Sequence, residues 1–293
     1  MEGLALPGDL ARAARADGMS ALGLTDHRLM TGAVEFVHAC RAEGIRPLLG
    51  LEIDLRGGRL PLLAASPAGW ANLCRLSSAL ALRDSPDEPC PPGLLASHAA
   101  DVIALGGELA EIYSLKDIFA DRLYLTLQNP GRGLPVSNLA RELDVQLVAT
   151  APVYYLTPEQ AALQQTVTAM RTLQPVSELP AGAFAPPGAS LLRSIEMEAR
   201  FRHFPKAIKA TLEVAERCRF DLPLGEPRMP AVPLPPGMTA AQTLRLRAEA
   251  GARRHYGSIT PEIQARLDHE LEVIARLGFE AVFLIVEDIL NFA

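Results

Sequence analysis

The sequence predicts an α/β protein built on a mainly parallel sheet or barrel, on three observations. The stretch Ala21–Glu52, ALGLTDHRLMTGAVEFVHACRAEGIRPLLGLE, holds two short apolar runs, Ala21–Leu24 and Pro47–Leu51, on either side of a helical pattern. Strand, helix, strand within about thirty residues is a βαβ unit, whose two strands run parallel. Alternation of short apolar runs with helical patterns then continues as far as Thr150, as a parallel α/β architecture requires. Finally, Pro223, Pro227, Pro230, Pro233, Pro235 and Pro236 fall between Asp221 and Gly237. No regular element survives that density of fixed φ angles and missing N–H donors. An α/β domain over 1–222 is thereby set apart from a linker and helices over 223–293.

Taken in order, Met1–Gly18 reads as a loop and a helix with Leu10, Ala11, Ala13 and Ala14 apolar and Gly18 as the stop. Thr31–Glu43 is the helix of the βαβ unit, with Ala33, Val34, Phe36, Val37 and Cys40 apolar and Gly44 closing it. Arg59–Ala65 is a further apolar run. A helix from Gly69 to Leu82 follows, carrying Trp70, Leu73, Leu76 and Leu80 on one face. Asp84–Gly93 is a Pro-rich surface loop. Val102–Leu105, Arg122–Leu127 and Val145–Thr150 read as strands, with a turn at Asn129-Pro130-Gly131 and a helix over Ser137–Leu143. Thr157-Pro158 opens a helix running to Met170, with Thr as N-cap and Pro at N1. Residues 174–190 read as a long loop, and Pro205–Cys218 as an amphipathic helix. Past the prolines, Thr239–Tyr256 is a basic helix and Thr260–Leu277 a second one, ended by Gly278. Phe279–Phe292 is strongly apolar and stops uncapped at Ala293, which predicts a chain cut before the partner of that helix.

Composition narrows the classes. The 293 residues are 49% hydrophobic and carry a formal charge of −6, so the whole chain offers no electrostatic case for nucleic-acid binding. Cys40, Cys74, Cys90 and Cys218 are far apart, with no C-x-x-C, which indicates reduced thiols rather than a zinc knuckle or a disulfide framework. A secretory signal and a bilayer-spanning run are both missing. A soluble cytoplasmic protein without membrane contact is the expectation.

Each strand of the first βαβ unit ends in groups able to bind metal: Asp26 and His27 after one, Glu52 after the other. Carboxyl ends of parallel strands are where α/β folds place their sites. The other histidines, His38, His98, His203, His255 and His269, sit outside any ligand pattern. Arg245, Arg247, Arg253 and Arg254 give one helix a basic face, read here as solvated.

LGLTDHRLMTGAVEFVHACRAEGIRPLLGLE resembles the second and third motifs of the polymerase-and-histidinol-phosphatase (PHP) domain of bacterial DNA polymerase III alpha subunits and their error-prone paralogues (family C). LLAASPAGWANLCRLSS, VIALGGELAEI, DRLYLTLQ, VATAPVYYLTPEQA, FPKAIKATLEVAERCRFDLPLG and ITPEIQARLDHELEVIARLGFEAVFLIVEDILNFA agree in order. The resemblance implies a distorted (β/α)7 PHP barrel holding up to three metal ions, followed by the helices that begin the polymerase core. Against the family pattern, the chain opens at Met1 inside a segment that follows the H-x-H strand, so the first strand and both its histidines are missing. Arg59 stands where a ligand His is expected and Glu108 where a Cys is, while the closing D-x-H becomes Pro152 and Tyr154. The chain also ends before the glycine-rich loop and catalytic aspartates of the palm.

His27, Glu52, Asp26 and Glu108 are thus the vestigial metal candidates. Zinc or manganese needs about three protein ligands, and an inward Arg59 would put a fixed positive charge where a metal sat, pairing with Glu52 or Glu108. The expectation is a barrel without bound metal in a structural role, at the head of a polymerase that uses Mg2+ and binds DNA through the full-length protein. Its partners would be the rest of the polymerase core and other replication subunits. Two alternatives stand beside it: a metal-dependent phosphoesterase or 3′–5′ exonuclease of the PHP type using those four residues with Zn2+ or Mn2+, and a non-catalytic binding module.

Overall fold

A computed structural model describes residues 2–107, 109–225 and 230–292, so that Glu108 and, within the proline-rich stretch, Pro227 lie outside it. The chain forms two compact units, Met1–Leu222 and Pro223–Ala293.

The first unit is a mixed α/β structure. Its sheet has six described strands in chain order: β1 (Ala21–Leu24), β2 (Arg46–Leu55), β3 (Gly58–Ala64), β4 (Val102–Gly106), β5 (Leu123–Leu127) and β6 (Gln146–Ala149). Strands β1 and β2 pair in parallel around helix α2 (Ala33–Ala42), as the βαβ pattern predicts. The β4–β5 and β5–β6 pairs are parallel as well. The β2–β3 and β3–β4 pairs are antiparallel, so that three of the five described pairs are parallel and the sheet is mainly parallel, as expected. The apolar run at Arg59–Ala65 is the return arm of a hairpin closed by Arg56-Gly57, with Leu55 opposite Gly58. Gly57 has φ +89°, a conformation that only glycine adopts freely and that a two-residue hairpin loop needs.

Side-chain alternation gives the sheet two buried faces. Leu51, Ile53, Leu60, Leu62 and Leu125 point to one, where they pack with Leu73, Leu76 and Leu80 of α3 (Pro67–Ala81) and with Leu115 and Phe119 of a helix at Ile112–Phe119. Leu48, Leu63, Ile103, Tyr124 and Val148 point to the other, against Ala210 and Val214 of a helix at Pro205–Arg217 and Cys218 just past its end. Since side chains on a strand alternate with period two, Leu48, Gly50, Glu52 and Asp54 share that second face. Gly50 has no alternative there: a Cβ would stand 2.1 Å from the Leu62 carbonyl oxygen.

The remaining helices of this unit are α1 (Pro7–Ala16), a short one at Pro92–Ser97, one at Gly133–Leu143, one at Ala161–Thr172 after a 3-10 turn over Pro158–Gln160, and one at Ser194–Arg200. Two 3-10 turns, Val176–Glu178 and Ala181–Ala183, punctuate the loop read over 174–190.

The second unit packs three helices, Ala240–Tyr256, Pro261–Leu277 and Glu280–Phe292, around Leu244, Leu271 and Leu284. Thr239 and Thr260 cap the first two, each accepting a backbone N–H, and Gly278 ends the second in the left-handed region. No helix among the described residues is long and apolar enough to cross a membrane.

Candidate functional site

Past Leu24 the chain stays beside β2 for one more bridge. The Glu52 N–H donates to the Asp26 carbonyl at 3.0 Å and the Arg28 N–H to the Glu52 carbonyl at 2.8 Å, which sets His27 against Glu52. Hairpin register adds the next group: β3 puts Arg59 opposite Asp54 and Pro61 opposite Glu52. Directly opposed residues project to the same face, so His27, Glu52, Asp54 and Arg59 gather at one end of the sheet, and Arg28, turned off the strand at φ 61°, reaches the same end. Glu2 completes the group from the N-terminal segment. That segment is anchored by the Leu4 N–H, which donates to the Tyr154 carbonyl at 2.6 Å, and by buried Gln164, whose Nε2 donates to the Glu2 carbonyl at 3.3 Å.

These groups form one ion-pair network. Arg59 donates from Nη1 to Glu2 Oε2 at 2.7 Å and to Glu52 Oε2 at 3.1 Å, and from Nη2 to Glu2 Oε1 at 3.1 Å. His27 lies between two carboxylates, with Nδ1 at 3.3 Å from Glu2 Oε1 and Nε2 at 2.9 Å from Asp54 Oδ2. Arg28, held at φ 61°, donates from Nε to Asp54 Oδ2 at 2.6 Å and from Nη1 to Asp87 Oδ1 at 2.7 Å. The carboxylates of Glu2, Glu52, Asp54 and Asp87 therefore meet the guanidinium groups of Arg28 and Arg59 and the imidazole of His27.

The titration behaviour follows from the contacts. The hydrogen bond from His27 and the Arg59 guanidinium hold Glu2 well below the usual carboxylate range, overcoming partial burial. Glu2 in turn raises His27 above its ordinary value, against a smaller opposing effect of burial and with help from Asp54. Burial pushes Asp54 upward, but His27 and Arg28 outweigh it and leave its pKa lowered. Glu52 goes the other way: burial raises it and Arg59 compensates only in part. Tyr154, beside Arg59, is raised by burial.

Of the sequence-predicted metal candidates, the structure brings His27 and Glu52 together. Asp26 is exposed, and its Oδ2 lies 3.0 Å from where a Cβ on Gly32 would stand, so its carboxylate sits by the start of α2. Glu108 lies outside the described residues. A metal ligand must offer a free lone pair and a neutral imidazole. Here both ring nitrogens of His27 face carboxylates, and the carboxylates of Glu2, Glu52 and Asp54 are engaged by guanidinium groups. Among the described residues no set of three or more His, Cys, Asp or Glu is placed to hold an ion. The described residues of this cluster, as paired here, do not fit a metal.

Sequence reasoning missed Glu2, Asp54 and Arg28. Asp54 had a signal, since it stands two residues beyond Glu52 on the same strand face. Arg28 directly follows the Asp-His pair. Glu2 had none, because its partners lie far along the chain and its own backbone is irregular.

A mixed α/β sheet with its polar cluster where β1 and β2 end is an α/β domain of half-barrel form that carries its site at the carboxyl ends of neighbouring parallel strands. Residues 1–129 match the PHP domain family, and residues 242–293 match the bacterial DNA polymerase III alpha NTPase domain family. An error-prone DNA polymerase from Symbiobacterium thermophilum is 35% identical across 100% of this chain, and a DNA polymerase III subunit alpha from Bacillus subtilis is 31% identical across 94%. The chain spans 31% and 27% of the lengths of those two relatives. A solved structure from Bifidobacterium adolescentis, described provisionally as a metal-dependent phosphoesterase, superposes on 51% of this chain and 82% of its own, at 15% identity and a TM-score of 0.36. The chain belongs to the family C DNA polymerases, the DNA polymerase III alpha subunits and error-prone polymerases, and corresponds to their PHP-bearing N-terminal region.

Proposed function

We propose that this chain is the head of a template-directed DNA polymerase, with a PHP barrel over 1–222 that has become a structural support. Residues 223–293 then supply a linker and the first helices of the polymerase core. The observation that carries the structural role is Arg59, which bridges Glu2 and Glu52 with hydrogen bonds of 2.7 to 3.1 Å. A guanidinium there does by direct ion pairing what a bound cation would do for clustered carboxylates. His27, Glu52 and Asp26, with Glu108, are relics of a ligand set on this reading.

The parent enzyme is a nucleotidyltransferase of DNA replication or error-prone repair synthesis in the cytoplasm. On this reading it uses Mg2+ for nucleotidyl transfer and binds DNA and other replication subunits as a whole molecule. Primer extension with Mg2+ should show no incorporation, and elemental analysis of the purified chain should show no stoichiometric zinc or manganese. Incorporation would refute the assignment of the palm. Bound zinc or manganese, lost in His27→Ala, would instead favour a PHP-type phosphoesterase or 3′–5′ exonuclease.

A further inference from the structure

Where β2 begins, at the opposite end of that strand from the ion-pair cluster, a second set of cations lines an open pocket of about 600 Å3. It lies between the α2–β2 turn and the segment leaving the helix Pro205–Arg217. Three guanidinium groups reach it from three elements: Arg41 in the last turn of α2, Arg46 at the first residue of β2, and Arg219 beyond the helix end. Arg46 donates from Nη2 to Glu216 Oε1 at 2.9 Å, and Arg219 pairs with the other oxygen of the same carboxylate. Arg41 donates to the Leu222 carbonyl at 3.0 Å and reaches Asp221 Oδ1 at 3.4 Å. Three cations thus share two carboxylates, Glu216 and Asp221, a local surplus of one positive charge in a chain of net charge −6.

Charge complementarity with a helix C-terminus explains Arg41. It does not explain Arg46, which is on a strand, or Arg219, which lies past its helix. Arg46 Nε is moreover buried with no hydrogen-bond partner among the described residues, an arrangement that costs free energy unless something balances it.

We propose that this pocket binds the phosphoryl end of a free nucleotide. Guanidinium forks match phosphate oxygens in geometry and charge, and three of them arriving from separate elements suit a group with several anionic oxygens. The volume is larger than a bare phosphate fills. Phe220 and Pro47, both part-exposed, supply apolar lining against which a base and sugar can lie, as aromatic and apolar walls do in other nucleotide-sized sites. This pocket shares no residue with the ion-pair cluster, so it stands or falls independently of the structural role proposed for the barrel.

Isothermal titration of the whole chain, in EDTA, tests it with ADP, inorganic phosphate and adenosine as separate probes. Saturable binding of ADP is expected, with phosphate weaker and adenosine silent. The double variant R41A/R219A, whose side chains are partly exposed, should lose at least about tenfold in ADP affinity while unfolding at the wild-type temperature. Absence of ADP binding at millimolar concentration overturns the proposal, as does unchanged affinity in the double variant or equal binding of adenosine. Tighter binding of an oligothymidylate lacking terminal phosphates would overturn it in favour of a nucleic-acid backbone, and tighter binding of a polyglutamate peptide in favour of an acidic protein.

Discussion

At the scale of single residues, Glu2, Asp54 and His27 are linked so that each favours the charged form of its neighbour, and that linkage has a pH signature. Glu2 and Asp54 are lowered from ordinary values of 4.5 and 3.8, so their contribution is present above those values and lost as acid protonates the folded form. His27 is raised from 6.5, so its contribution is complete below that value and lost as pH rises through the folded pKa. Glu52, raised by burial, acts oppositely to Glu2 and recovers stability on acidification. The unfolding temperature should therefore be highest between about pH 4.5 and 6.5 and decline toward alkaline pH. His27→Gln should flatten the alkaline decline; an identical decline in that variant would show that the imidazolium is not part of the network. Half of this cluster is legible in the sequence, because His27 and Glu52 end apolar runs and Arg59 stands where the family pattern expects a ligand histidine. Glu2 was not, since a loop residue's tertiary partner leaves no periodic trace in the sequence.

At the scale of elements, close approaches fix packing more tightly than hydrophobic pattern does. Gly133 opens the helix Gly133–Leu143 beneath the ring of Phe204, where a Cβ would stand 1.9 Å from Cζ. Phe204 packs on the main core and cannot withdraw freely. Gly133→Ala should destabilise the chain by about 1–3 kcal/mol, as overpacking of a filled site does, and adding Phe204→Leu should recover much of it. Chemical denaturation of the single and double variants decides the point, and equal stability of Gly133→Ala and wild type would contradict it. Elements with a strong period were readable: α2, α3 and the three C-terminal helices lie within two or three residues of their expected bounds. The helices Ile112–Phe119 and Ser194–Arg200 were not, being short and lacking a side-chain cap hydrogen bond at their N-caps. The antiparallel turn after β2 was overlooked although Arg56-Gly57-Gly58 carries a hairpin signal.

At the scale of the whole molecule, two features bear on behaviour in solution. The C-terminal unit leaves Phe283, Ile289 and Leu290 of its last helix 47%, 60% and 72% exposed, while only Leu284 of that helix is buried. Exposed apolar surface of this kind drives association. Sedimentation velocity of the chain should show concentration-dependent self-association that Ile289→Glu with Leu290→Glu abolishes; a monomer at every concentration would contradict it. The first unit, in contrast, places the charged side chains of its polar cluster in mutual pairs, and its stability should not depend on a dissociable ion.

That independence is the central claim, and thermal unfolding with and without a chelator tests it most directly. EDTA should leave the unfolding temperature of the wild-type chain unchanged, and added zinc or manganese should not raise it. Arg59→Ala in the same buffers should lose about 1–2 kcal/mol, the cost of breaking a partly buried ion pair after solvent screening. A marked fall in wild-type unfolding temperature on chelation, with Arg59→Ala indistinguishable from wild type, would mean that a metal holds this barrel together and that its ion pairs do not.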